Sequence, residues 1–159
     1  MLGVFGDVLG VDLGGVTMSR EKNEAGIYLP ILGSFGALSR LRDHFRGNVV
    51  IVSRVNDNEQ ARGILESLSR QDFFSFTGIA RTAIHFCIKR EEKAPICVRL
   101  GVTHFIDDRL EVLYHLHRAG IKNLYLFQGR KEEYSVAPYN SILGEVTRVE
   151  SWQEVKANF

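Results

Sequence analysis

The chain has 159 residues, 20 Lys+Arg against 19 Asp+Glu, a formal charge of +1, 45% hydrophobic and 25% charged residues. These values exclude a disordered, collagen-like or coiled-coil chain, and a near-neutral balance argues against wholesale coating of nucleic acid. No apolar stretch reaches the about 18 residues of a membrane span.

Met1 to Leu13 is apolar but carries Asp7 and Asp12 and lacks a basic start, so it does not read as a signal peptide. Val8 to Val11 is short and β-branched enough for a buried central strand, ending at Asp12. Leu13-Gly14-Gly15 breaks it. Val16 to Met18 and Ile27 to Leu29 flank a polar stretch and pair on paper as a small hairpin flap. Phe35, Leu38, Leu41 and Phe45 recur at helical spacing, predicting a helix over Gly33 to Arg46 with Gly47 as its stop. Val49 to Val52 is a second strand, ending at Ser53. Asp57 and Gln60 form a capping-box signature ahead of a stripe of Ala61, Ile64, Leu65 and Leu68.

Phe73 to Ile79 and Ile84 to Ile88 compete for the third strand, and the second has the better strand composition. Phe73, Phe74, Phe76 and Phe86 are expected in the core. Lys93 to Leu100 reads as helix, with Pro95 tolerable in its first turn. Val102 to Ile106 is a strand ending at Asp107-Asp108. Leu110, Leu113, Leu116 and Ala119 mark the next helix, Asn123 to Phe127 the next strand, and Val146 to Val149 a late edge strand. Gly129 to Gly144 is polar and loop-like. Ser151 and Glu154 open a terminal helix bearing Trp152 and Val155. Alternating apolar strands and helices predict one α/β domain over 1–159, a doubly wound, Rossmann-like parallel sheet with helices on both faces.

In such a sheet ligands bind beyond the carboxyl ends of the strands. The polar residues there are Asp12, Ser53 and Asp107-Asp108, with Lys93 at the start of a helix. Carboxylates from separate strands make a hard oxygen site suited to Mg²⁺. A serine and a lysine nearby hold phosphoryl oxygens. A carboxylate beside metal and phosphate can attack phosphorus to form an acyl phosphate.

The ordered set resembles the haloacid dehalogenase-like (HAD) superfamily of phosphohydrolases, over essentially the whole chain. Val8-Leu9-Gly10-Val11-Asp12-Leu13-Gly14 is similar to its first motif, and Val49 to Ser53 to its second. Lys93-Ala94-Pro95 resembles the third and Phe105-Ile106-Asp107-Asp108 the fourth, 14 residues on from Lys93 to Asp107. The resemblance implies Asp12 as nucleophile and metal ligand, and Ser53 and Lys93 on the phosphoryl group. It implies Asp107 and Asp108 on Mg²⁺, either in direct contact, with the Gly14 backbone carbonyl. It also implies a phosphorylated substrate. Asp12 and Ser53 stand 41 residues apart and Ser53 and Lys93 40, leaving no room for a full cap domain and predicting an open site.

One position departs from the pattern. The family's phosphatases carry a second Asp two residues after the nucleophile, where this chain has Gly14. That carboxyl protonates the leaving group and then activates water, a contribution of roughly 10²–10⁴-fold. A poor phosphatase on alkyl esters follows, with aryl or acyl phosphates suffering least. Asp57, Glu21 and Glu24 are substitutes by loop position alone. A binding or regulatory protein that keeps the fold without turnover is the alternative. Ser53-Arg54 and Asp107-Asp108-Arg109 also resemble the phosphatase half of polynucleotide kinase-phosphatases, which makes Arg54 and Arg109 substrate-binding candidates and a nucleic-acid 3′-phosphate end a conceivable partner. Gly10 to Val16 also looks like the first phosphate loop of sugar-kinase and actin-like ATPases, but those need about twice this length.

Taken singly, these residues have structural readings: Asp12 a turn, Ser53 a cap, Asp107-Asp108 a helix cap, and Lys93 part of the solvated charged run from Lys89. His85, Cys87, Cys97 and His104 match no zinc spacing, and His115 and His117 lie on opposite sides of a helix. The two cysteines read as buried free thiols, suited to a reducing cytoplasm.

Overall fold

The computed structural model describes residues 6–159, so Met1 to Phe5 of the apolar start lie outside the described residues. Among the described residues, six strands form one all-parallel sheet. They are β1 (Leu9–Val11), β2 (Val49–Arg54), β3 (Ile84–Cys87), β4 (His104–Asp107), β5 (Asn123–Phe127) and β6 (Val146–Val149). Their order across the sheet is β3-β2-β1-β4-β5-β6. The chain winds outward from β1 in one direction, then crosses to β4 and winds outward in the other. The switch point therefore lies between the carboxyl ends of β1 and β4, where a doubly wound sheet opens a crevice.

Alternation along each strand feeds two cores. Leu9, Val11, Ile51, Ile106 and Phe127 face one side, packed by α1 (Ser34–His44), α2 (Asn58–Arg70), α3 (Phe73–Thr77) and α6 (Trp152–Lys156). Val52, Phe105, Leu124 and Leu126 face the other, covered by α4 (Lys93–Arg99) and α5 (Leu110–Arg118). Gly10 in β1 leaves the space that Phe105 fills: a Cβ there would lie 2.4 Å from the ring. Both capping signatures form. Asp57 accepts from the Gln60 N–H at 2.8 Å and Ser151 from that of Glu154 at 3.1 Å.

Several sequence expectations need correction. Of the two runs competing for the third strand, the favoured one forms β3, while Phe73 to Ile79 is helical in its first five residues, a run too short for its period to separate helix from buried strand. Phe73 is buried, but Phe76 points outward and is 59% exposed. Ile88 lies beyond β3 and is half-exposed. The flap forms without a regular hairpin. Ser19 N–H donates to the Leu29 carbonyl and Asn23 N–H to that of Ile27, while Met18 makes only isolated bridges to Gly14 and Pro30. Residues 129–145 are not bare loop: they carry 3₁₀ turns at Lys131–Ser135 and Tyr139–Glu145, and Glu133 is buried. Among the described residues no large cap covers the sheet ends. No described helix is long and apolar enough to cross a membrane.

Candidate active site

The site is built at the switch point. Asp12 follows β1, and its backbone N–H donates to the Ile106 carbonyl at 3.0 Å. Asp107 closes β4, Asp108 comes next, Ser53 lies near the end of β2 and Lys93 begins α4. Adjacent parallel strands in register place these residues side by side. Asp12, Asp107 and Asp108 each offer a carboxylate oxygen within 4.8 Å of the others. Lys93 Nζ sits between two of them, donating to Asp12 Oδ1 at 3.0 Å and Asp107 Oδ2 at 2.8 Å. Asp107 Oδ1 accepts the Arg109 backbone N–H at 2.9 Å. All four charged side chains, with Ser53, are buried.

The loop after Asp12 is held from three sides. Thr17 Oγ1 donates to the Asp12 carbonyl at 2.8 Å, Ser34 Oγ to the Thr17 carbonyl at 2.8 Å, and Trp152 Nε1 to the Val16 carbonyl at 2.7 Å. Gly15 is required within it. Its φ is +81°, and a Cβ would lie 2.6 Å from Asp108 Oδ2 and 2.7 Å from Arg20 Nε. Gly14 is under no such constraint, since a Cβ there meets nothing closer than Arg20 at 4.0 Å.

Burial raises the Asp12 and Asp107 carboxyls above the usual carboxylate range. For Asp12, Lys93 opposes this and Asp108 adds to it; for Asp107, Asp12 adds to it before Lys93 opposes. Burial likewise disfavours the Lys93 ammonium, but Asp107 and Asp12 outweigh it and hold that group firmly charged. One lysine is thus shared between carboxylates that also repel a third. A hard divalent cation fits this donor set. Two oxygens on one Mg²⁺ lie up to about 4.2 Å apart, twice the bond length, so small side-chain rotations bring the three into one coordination sphere.

A cavity of about 180 Å³ opens over the cluster. Gly14, Ser53, Arg54 and Arg109 line it along with Asp12, Lys93, Asp107 and Asp108. The structure thus brings the motif residues of the sequence, with Arg54 and Arg109, to one place. Asp57, Glu21 and Glu24 do not line it, and Asp57 is occupied in capping α2. His85, Cys87, Cys97 and His104 form no metal-binding group among the described residues.

Sequence reasoning missed four contributors. Arg20, from the flap, makes an ion pair with Asp108 through Nη2, and its Nε donates to the same oxygen at 3.0 Å. Arg130 Nη2 approaches that oxygen at 3.7 Å. Arg90 lies in the charged run that looked solvated and lines the cavity. Buried Glu133 accepts the N–H groups of Leu110 and Glu111 at 3.3 and 3.1 Å, capping α5, and pairs with Arg109 at 3.2 Å. No local signal marks them, because their partners lie 20 to 90 residues away.

No protein-family profile and no curated protein matches the chain. Solved structures do. The chain is similar to D,D-heptose 1,7-bisphosphate phosphatase from Burkholderia thailandensis, with a TM-score of 0.63 at 14% identity over 96% of this chain and 97% of that one. It is also similar to a protein from Burkholderia xenovorans LB400 described as a haloacid dehalogenase-like hydrolase. There the TM-score is 0.53 at 21% identity, over 81% of this chain and 57% of that one. The fold of the chain is that of the haloacid dehalogenase-like hydrolases.

Proposed function

We propose that this chain is a Mg²⁺-dependent phosphohydrolase of the HAD-like class that works through an aspartyl phosphate on Asp12. One observation carries the reading: three buried carboxylates from two strand ends lie within 4.8 Å of one another around a lysine, in a cavity lined by arginines. The phosphatase similarity of the fold supports it.

In this reading Asp12, Asp108 and Asp107 hold the ion, with the Gly14 carbonyl beside them. An ion held there would supply positive charge that screens the substrate from the acidic cluster and Lewis acidity toward the phosphoryl group. Asp12 bonds to the phosphorus as the bond to the leaving group breaks, and the leaving group takes the electron pair away. Water then cleaves the aspartyl phosphate, releasing inorganic phosphate and restoring the carboxylate. Lys93 orients Asp12 and neutralises charge on the equatorial oxygens. Ser53 donates a hydrogen bond to one of those oxygens, and Arg54 and Arg109 bind the remaining anionic groups. The substrate is a phosphorylated molecule; nothing in the similar structures supports a nucleic-acid end.

The test is hydrolysis of p-nitrophenyl phosphate with Mg²⁺ and with a chelator, in the wild type and Asp12→Asn. Chelator-sensitive activity lost in Asp12→Asn is the expected result. Gly14 favours a second reading, a phosphate-binding protein without turnover. That reading wins if wild type and Gly14→Asp are both inert while a phosphate analogue still binds.

A further inference from the structure

The cavity carries more positive charge than a phosphate monoester calls for. Five arginines line it: Arg20, Arg54, Arg90, Arg109 and Arg130. With Lys93 they set six cations against the three carboxylates of the cluster. Glu111 and Glu133 answer Arg90 and Arg109 from the side, at 3.5 and 3.2 Å. One positive charge is left over, and a divalent cation raises the excess to three. A monoester brings about two negative charges. Donors are also to spare. Arg54 makes no ion pair among the described residues, and Arg130 Nε is buried without a hydrogen-bond partner.

The cavity is equally defined by what it lacks. Among the described residues its lining contains no His, Glu or Cys, and its only carboxyls belong to the acidic cluster. Lys93 is pinned between two carboxylates. Gly14 itself offers no side chain, and a Cβ there would meet nothing closer than Arg20 at 4.0 Å. A guanidinium steadies negative charge but delivers no proton. Apart from the phenol of Tyr28, no acid among the described lining residues stands ready to protonate a leaving group.

We infer that the substrate is a phosphoric anhydride, in which the transferred phosphoryl group is bonded through oxygen to a second phosphate held by the arginines. The inference rests on Asp12 as nucleophile. A carboxylate oxygen of Asp12 bonds to the terminal phosphorus as the bridging P–O bond breaks, and that electron pair departs on the second phosphate. No proton is needed, because a phosphate's second ionisation lies near pH 6. An alkoxide, by contrast, is about as basic as hydroxide, the conjugate base of water with its pKa of about 15.7. Water then attacks phosphorus and the bond to Asp12 breaks. The carboxylate is restored, and both protons of the water leave on inorganic phosphate.

The experiment compares kcat/KM with Mg²⁺ on p-nitrophenyl phosphate, glycerol phosphate, inorganic pyrophosphate and ADP. The better anhydride is expected to exceed glycerol phosphate by about 100-fold or more, the lower bound of lost acid catalysis. Gly14→Asp is expected to narrow that ratio at least about tenfold by raising the alkyl ester. A wild-type ratio below that bound overturns the inference, as does a Gly14→Asp ratio that stays as wide. Binding supplies an independent readout. By calorimetry without metal, methylenediphosphonate is expected to bind at least ten times more tightly than methylphosphonate, as more charge meets more guanidinium groups. A smaller difference overturns the inference. Failure of the reading it rests on looks different: p-nitrophenyl phosphate is then inert, or Asp12→Asn still cleaves it, and the inference falls with that reading.

Discussion

Trp152 Nε1 donates a 2.7 Å hydrogen bond to the Val16 carbonyl, tying α6 to the loop that leaves Asp12. Both partners are buried. Trp152→Phe keeps most of the packing but strands that carbonyl. A buried unsatisfied acceptor costs about 1–3 kcal/mol. We expect a loss of that size in urea denaturation, with weaker Mg²⁺ binding because the Asp12 loop loses an anchor.

Lys93 is the one cation wedged directly between Asp12 and Asp107. Lys93→Met leaves two buried carboxylates facing each other. Breaking a buried pair this way costs about 3–5 kcal/mol. A bound cation offsets that repulsion, so Mg²⁺ is expected to raise the melting temperature of Lys93→Met by more than it raises that of the wild type. Differential scanning fluorimetry with and without MgCl₂ reads the difference directly.

Gly14 and Gly15 are adjacent but differ in what they tolerate. Gly15→Ala forces a left-handed side-chain residue, at about 1–2 kcal/mol, and drives a methyl group against Asp108 and Arg20. Gly14→Ala meets only ordinary contacts. Gly15→Ala should lower stability by at least about 1 kcal/mol and weaken Mg²⁺ binding, whereas Gly14→Ala should melt within a few degrees of the wild type. Equal melting temperatures for the two variants would contradict the loop geometry.

His104 packs between Phe45, Phe159 and Tyr125, and burial holds its pKa below 6.5. A lowered histidine pKa means the unfolded chain binds the proton first. Its effect on stability is absent above pH 6.5 and grows as the pH falls from there through the lowered folded value. Asp12 and Asp107, raised by burial, act in the opposite sense. The histidine contribution is therefore read by difference. Between pH 7.5 and 5.5, the melting temperature of His104→Gln should fall less, or rise more, than that of the wild type.

Burial pushes the Cys87 thiol up to about 11 and the Cys97 thiol up to about 12. The thiolate is the reactive form. Native protein at pH 7.5 should react slowly with iodoacetamide at both positions, and denatured protein should titrate two thiols. Rapid labelling of Cys97 in the folded chain would show that α4 does not pack as described.

The sheet was legible because each strand is a short apolar run closed by a polar residue, and five residues of the candidate site were legible because they are those closing residues or stand in order with them. α3 was not, since Phe73 to Thr77 is too short for its period to declare itself. Arg20, Arg130 and Glu133 were invisible for a different reason. Each sits in a polar stretch that local rules assign to solvent, and its role exists only once the chain has folded back on Asp108 or Arg109. Lys93 sat inside such a stretch too, and only its place in an ordered set of motifs distinguished it from Lys89.

An all-parallel sheet contains no hairpin, so every strand pairing closes a long crossover before it earns a single ladder bond. The two halves of the acidic cluster, at positions 12 and 107–108, meet only when the largest of these loops has shut. A partly folded or nicked chain therefore owns no fractional version of the centre. On the proposed function, ion capture would be an on-or-off reporter of the finished topology, and a refolding chain should regain it late, after its helical circular dichroism.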